Sequence, residues 1–133
     1  MRKKKRIILV VSIIVLILIA FVIFAAVTKI QNELQTLSTA LIKNVDMTQV
    51  PNGVYLGQFS TLPVSAKVEV SVEGGKIINI KLIEHKNGQG KPAEVIIEQV
   101  LEDQTLDVDL ISGATYSSKV ILKAIEDALE KQP

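Results

Sequence analysis

The chain has 133 residues and no cysteine, and its fifteen Lys and Arg nearly balance its fourteen Asp and Glu. Five of the basic residues occupy positions 2–6, so residues 7–133 keep ten Lys and Arg and carry a net charge of −4. An acidic body without a basic patch argues against nucleic acid as a partner. The lack of cysteine excludes disulfides and a lipoprotein anchor.

The N-terminal segment predicts a membrane anchor. After the basic cluster, 21 almost uniformly apolar residues extend from Ile7 to Val27. At about 1.5 Å per residue they span the roughly 30 Å of a bilayer core, and the positive-inside rule keeps the basic cluster in the cytoplasm. Residues 1–28 are therefore predicted to be a cytoplasmic tail and a single-pass signal anchor, with the rest of the chain outside the cell membrane. A signal peptide cleaved near Ala25-Ala26 is the competing interpretation, but its apolar run would typically be only about 7–15 residues long.

Residues 29–50 are predicted to be a helical stalk or linker. Ile30, Leu34, Leu37 and Leu41 recur at intervals of four, three and four residues, which is the spacing of one helix face. That face belongs either to a free stalk or to a helix that packs on the following domain. The composition from Asn44 to Asn52, ending in Pro51-Asn52-Gly53, is typical of a turn and marks the boundary of the folded unit, residues 51–133.

The folded unit begins with a predicted meander of three strands, over residues 54–59, 64–72 and 77–84. Apolar residues alternate with polar ones in the second strand, and Ile78, Ile80 and Leu82 are predicted to form the buried face of the third. Gly74-Gly75 joins these two strands, because glycine tolerates the positive φ of a tight hairpin turn. One face of the sheet is therefore predicted to be buried.

Helical spacing follows the meander. A polar loop over residues 85–91, including Asn87 and Gln89, precedes Pro92, which suits the first position of a helix. Glu94, Glu98 and Glu102 are most simply the solvent face of that helix, and residues 106–111 are predicted to be a short strand. The last helix is predicted to bury Ile121, Ala124, Ile125, Ala128 and Leu129, and to expose Lys119, Lys123, Glu126 and Glu130. Two helices on one face of a small antiparallel sheet make an α+β fold.

The segment Asp109-x-x-Ser112-Gly113-Ala114-Thr115 lies where the predicted strand meets the last helix. The first N–H groups of a helix have no partner inside it, and the macrodipole adds positive charge, so such a junction favours an anion. Ser and Thr in this position are also common N-caps. The spacing alone therefore leaves a structural cap as the alternative.

This segment resembles the flavinylation motif of the FMN-binding domain family, in which a flavin transferase joins FMN through its phosphate to the threonine hydroxyl. The segments 53–57, 74–77 and 84–86 are similar to the family in the same order, so the resemblance covers residues 51 to 131. It implies FMN covalently bound to Thr115, with Asp109 recognised by the transferase. The other implied cofactor-binding residues are Ser112, Gly113, Ala114, Tyr116, Ser117 and His85.

The resemblance implies an electron carrier rather than a self-sufficient enzyme, because FMN supplies the chemistry while the protein holds and tunes it. Its expected partners are a flavin transferase and redox donor and acceptor proteins or a quinone-linked dehydrogenase. A flavin subunit of a larger membrane ion-pumping oxidoreductase and a non-catalytic surface interaction module stay open as alternatives. A metal site is not predicted, since His85 is the single histidine and cysteine is lacking. Without a role at the flavin, His85 would be a solvated loop residue.

Overall fold

The computed structural model describes residues 1–86, 88 and 90–131. These residues form two compact units, Met1–Asn32 and Glu33–Pro133, and helix α1 contributes to both. The elements in chain order are α1 (Arg2–Thr39), a 3₁₀ turn (Met47–Gln49), β1 (Gly53–Thr61), β2 (Val64–Glu73), β3 (Lys76–Lys86), a second 3₁₀ turn (Lys91–Val95), α2 (Ile96–Asp103) and α3 (Thr115–Glu130). Within the predicted polar loop, Asn87 and Gln89 lie outside the described residues.

The first unit consists of the N-terminal part of α1. Residues 1–27 are all exposed, and no acidic residue precedes Glu33. Within the part of the chain that the structure describes, α1 is the one helix that is long and apolar enough to cross a membrane. The predicted anchor therefore forms a helix with the length and composition of a membrane span.

The second unit is built on a three-stranded antiparallel sheet in the order β1-β2-β3. The alternation predicted for the central strand β2 is confirmed, because its core-facing residues 66, 68, 70 and 72 are all buried. Helix α3 packs on β1 and β2 and crosses β1 at Gly57. A Cβ atom at Gly57 would lie 2.0 Å from the carbonyl oxygen of Ala124, so glycine permits this close approach of backbones.

Strand β3 contains two β-bulges, which leave Ile78 and Ile83 as extra residues opposite β2. The prediction that Ile78 faces the core is wrong: Ile78 is 57% exposed, whereas Ile77 is buried. The cause is the first bulge, because an extra residue reverses the faces of the residues beyond it. The second bulge places His85 opposite the buried Ala66, on the core face of the sheet.

Helices α2 and α3 complete an α+β fold, as predicted. The whole apolar stripe predicted for α3, from Ile121 to Leu129, is buried. The prediction that Glu126 is exposed is wrong, because its carboxylate accepts the backbone N–H of Lys43 at 3.1 Å and the ammonium of Lys123 at 3.0 Å. These partners offset the cost of burying a charged group.

Residues 106–111 form no strand, contrary to the prediction. The N–H of Leu106 donates to the side-chain oxygen of Asn44 at 3.1 Å instead of joining a ladder. The backbone of Ile77 in β3 is hydrogen-bonded by a side chain and not by a fourth strand. The side-chain amide of Gln104 accepts the N–H of Ile77 at 2.8 Å and donates to its carbonyl oxygen at 2.9 Å.

The part of α1 after Asn32 belongs to the second unit, and half of the leucine-rich face packs within that unit, as the second of the two interpretations expects. Leu37 is buried in the core and Leu34 packs against it, although Leu41 is 83% exposed. The hydroxyl of Thr61 donates to the carboxylate of Glu33 at 2.9 Å. Residues from Glu33 onwards therefore contribute to the folding of this unit.

Candidate functional site

The candidate site lies at the N-terminus of α3, which begins at Thr115 without a side-chain cap. Gly113 has a φ of 77°, a conformation that favours glycine, and Ala114 occupies the N-cap position. The N–H of Ser118 donates to the carbonyl oxygen of Ala114 at 2.9 Å. The N–H groups of residues 115, 116 and 117 therefore precede the hydrogen-bonded turns and have no partner within the helix.

Ser118 holds the turn together. Its hydroxyl donates to the carbonyl oxygen of Ala114 at 2.9 Å and accepts the N–H of Ile111 at 3.1 Å. Its side chain is fully buried, so it stabilises the turn from the interior of the domain. In the sequence Ser118 is one of four hydroxyl residues of this segment, but it is not among the cofactor-binding residues that the family resemblance implies. The signal that could have found it is its position four residues after Ala114, where a serine on α3 returns to the start of the helix.

A cavity of about 170 Å³ lies at this turn. Five of the predicted site residues line it together with two residues from elsewhere in the chain, Val64 and Gly90. The five are Gly113, Ala114, Thr115, Tyr116 and Ser117. Thr115 and Tyr116 are exposed, whereas Ala114 and Ser117 are buried. The structure thus brings these residues together with Thr115 accessible at the surface.

The remaining predicted site residues do not line this cavity. Ser112 and Asp109 are both exposed, on the segment that leads into the turn. The side chain of His85 is only 2% exposed, and its Nδ1 lies 3.0 Å from Oε1 of Glu94. The alternative of a solvated histidine is therefore wrong. His85 is related to the cavity through its cross-strand partner Ala66, which is two residues from Val64.

Comparison with known proteins agrees with this geometry. Residues 63–130 match the model of the FMN-binding domain family, and the chain belongs to that family. The urocanate reductase of Eggerthella lenta is 35% identical over 66 residues, which cover 47% of this chain and 11% of the reductase. The NADH:acrylate oxidoreductase of Vibrio harveyi is 38% identical over 77 residues, which cover 56% of this chain and 7% of that protein.

The chain thus spans only a small part of the length of these curated relatives, both of which are redox enzymes by name. Residues 63–130, which match the family model, contain the whole of α3 and the turn before it. Family membership and the two relatives together support binding of FMN and a role in flavin-based electron transfer.

The residues of the turn fit the phosphate end of FMN. The first turn of α3 contains no acidic residue, and its N–H groups and the helix macrodipole favour an anion. A Cβ placed at Gly113 would meet nothing within 4 Å, so the backbone is open on that side. Pockets that enclose a small molecule measure about 300–1,000 Å³. A cavity of about 170 Å³ suits the phosphate and adjoining chain but does not enclose the ring system.

Proposed function

We propose that this protein is a membrane-anchored, extracytoplasmic flavoprotein that carries FMN in phosphoester linkage to Thr115 and acts as an electron carrier. The observation that supports this best is the exposed threonine at an uncapped helix N-terminus, beside a cavity of about 170 Å³. Such a shallow site offers little surface to retain a free flavin. A covalent bond removes that need, and it matters most outside the cytoplasm, where dissociated flavin would diffuse away.

When bound, FMN supplies the redox chemistry. The N–H groups of Thr115, Tyr116 and Ser117 would hold the phosphate, while Gly113 and Ala114 leave the backbone accessible. Tyr116 is 39% exposed beside the attachment point, and its ring would pack against the isoalloxazine system.

Three further residues have proposed roles at the edge of this site. Ser112 would donate to the bound group from the turn, and His85 would contribute from the side of Val64 and Gly90. Asp109, exposed six residues before Thr115, would be recognised by the flavin transferase. Its position on an accessible segment suits contact with a modifying enzyme.

The anchor proposal rests on α1 and its charge distribution. The helix has the composition of a membrane span, and five of its six basic residues precede the apolar run, while Lys29 follows it. The positive-inside rule would hold residues 2–6 in the cytoplasm and deliver the flavin domain to the opposite side. Redox donor and acceptor proteins, or a quinone-linked dehydrogenase, would exchange electrons with the tethered flavin there.

The test of the attachment claim is the intact mass of the protein after co-expression with a flavin transferase, followed by peptide mapping. Wild-type protein should carry one FMN-sized adduct on the peptide that contains Thr115. Thr115→Ala should remain folded without the adduct, and Thr115→Ser should retain some of it because a hydroxyl persists. Thr39→Ala, an exposed threonine of α1, is the matched control. An adduct that survives Thr115→Ala would refute the proposal.

A flavin subunit of a larger oxidoreductase is the second candidate, because in both relatives the matched region is a small part of a much longer chain. The same domain would then work beside others on a separate polypeptide. Stable co-purification with integral membrane redox proteins would favour this candidate, whereas a carrier should exchange electrons without a lasting complex.

A further inference from the structure

His85 and Glu94 form a contact that the proposed function has not used. The second bulge of β3 turns the His85 side chain towards the core, where it is 2% exposed, while the Glu94 side chain is 35% exposed. His85 Nδ1 lies 3.0 Å from Glu94 Oε1. The spacing of Glu94, Glu98 and Glu102 predicts one solvent face, but the structure pairs Glu94 with a buried histidine.

The chemistry of the pair fixes the proton on one ring nitrogen. An ionised carboxylate only accepts hydrogen bonds, so Nδ1 of His85 must carry the hydrogen that it donates to Glu94. The state of the other nitrogen, Nε2, then determines the charge of the ring. A carboxylate that orients a histidine in this way is a common support of functional imidazoles.

The pair is linked to the wall of the cavity at the start of α3. Glu94 lies in the second 3₁₀ turn, which begins directly after Gly90, and the N–H of Ala93 donates to the carbonyl oxygen of Gly90 at 2.9 Å. Gly90 itself lines the cavity beside Thr115. The contact between His85 and Glu94 therefore joins β3 to the 3₁₀ turn that directly follows Gly90.

We propose that Glu94 is a positioning residue of the flavin site, which fixes the tautomer and orientation of His85 and through it tunes the midpoint potential of the flavin. This inference rests on the proposed function, because it takes Thr115 to carry FMN. Its first part, the control of His85 by Glu94, concerns the polypeptide alone and can be tested without any flavin.

The first experiment uses the fact that the chain has a single histidine. Imidazole ¹⁵N chemical shifts of the flavin-free, full-length protein in detergent, in alkaline buffer, report which nitrogen of His85 carries the hydrogen. Wild type and the control Glu98→Ala should show the Nδ1–H form. Glu94→Ala should lose that preference, and Glu94→Gln should retain it, because its amide oxygen still accepts. An unchanged Nδ1–H form in folded Glu94→Ala would overturn the inference.

The second experiment measures the midpoint potential of the flavinylated protein for Glu94→Ala, His85→Gln and the double variant, at one pH. Glu94→Ala should shift the potential in the same direction as His85→Gln and should add no further shift in the His85→Gln background. Equal shifts by Glu94→Ala in both backgrounds would refute action through His85. A shift in Glu98→Ala of the same size would attribute the effect to surface charge.

Failure of the two proposals is distinguishable. Wild-type protein without an FMN adduct would refute the proposed function and the flavin part of this inference, while the ¹⁵N shifts would still decide whether Glu94 controls His85. An adduct on Thr115 together with unaltered shifts in Glu94→Ala would leave the proposed function standing and refute the role of Glu94.

Discussion

Replacing Gly57 by alanine should displace the helix that carries the site. The added Cβ would lie 2.0 Å from the carbonyl oxygen of Ala124 and 2.5 Å from the backbone nitrogen of Ala128. Non-bonded carbon atoms in contact are separated by about 3.5–4.0 Å. The 2.0 Å separation from Ala124 is far shorter, so α3 would have to move by more than about 1 Å. Both contacts are backbone atoms, which cannot turn aside as a flexible side chain can.

The expected loss of stability follows from this overlap. Overpacking by a methylene typically costs about 1–3 kcal/mol, and a clash with helix backbone should reach the top of that range or exceed it. A loss of about 3 kcal/mol is a large part of the roughly 5–15 kcal/mol that stabilises a typical domain. The same shift of α3 should reduce FMN attachment, because the turn at residues 113–115 moves with the helix.

Urea unfolding of the full-length protein in detergent, followed by circular dichroism, measures the effect. Gly53→Ala is the matched control on the same strand, because the three atoms nearest its added Cβ all belong to the side chain of Tyr55, the closest at 3.1 Å. A loss below about 1 kcal/mol for Gly57→Ala, or equal losses for both variants, would refute the claim that Gly57 is needed for the approach of α3.

Three other perturbations test the core, the turn and the topology. Ile125 is fully buried, so Ile125→Ala should cost about 2–5 kcal/mol in urea unfolding; a loss below about 0.5 kcal/mol would place it outside the core. Ser118→Ala leaves the N–H of Ile111 without its acceptor and should cost about 1–3 kcal/mol, with a lower yield of the FMN adduct by mass; unchanged stability and yield would contradict the role of Ser118. Protease added to intact cells should remove residues 29–133, and protection until lysis would rule out the proposed topology.

The strands and helices were predictable where a local period decides them. The alternation in β2 and the helical stripe of α3 each repeat over several residues, so they identify both the element and its buried face. The bulges in β3 were not predictable, because Ile77 and Ile78 are both isoleucine and only pairing with β2 selects one for the core. The burial of His85 was not predictable for the same reason, because the second bulge changes the face of the sheet on which His85 lies.

Charged residues show the same dependence on distant partners. The helical spacing predicts that Glu126 of α3 faces solvent. In the structure Glu126 is buried, and its carboxylate accepts the N–H of Lys43, 83 residues earlier in the sequence. The failed strand over residues 106–111 has a related cause. Its alternation is suitable, but Gln104 already bonds the backbone of Ile77 at the edge of β3, and Leu106 bonds Asn44 instead.

The candidate site also combines residues that a local motif identifies with residues that only tertiary packing brings to it. Residues 113–117 are contiguous at a helix N-terminus, so a motif that identifies one of them identifies all, and they line one cavity. Val64 and Gly90 complete that cavity from two other segments, and Glu94 reaches His85 across a turn. These contributions depend on tertiary packing, which a motif does not encode.

Helix α3 also connects the candidate site to the linker that precedes the sheet. Four residues after Thr115, the ammonium of Lys119 donates to the carbonyl oxygens of Ser38 and of Ala40 at the end of α1, where a cation also complements the helix macrodipole. One turn further, the ammonium of Lys123 donates to the carboxylate of Glu126, which accepts the backbone N–H of Lys43. The helix that presents the proposed attachment residue thus also holds the segment between α1 and the sheet. A displacement of α3 would therefore break its bonds to residues 38–43 and distort the turn at Thr115 together. The position of that segment and the geometry of the candidate site thus depend on one helix.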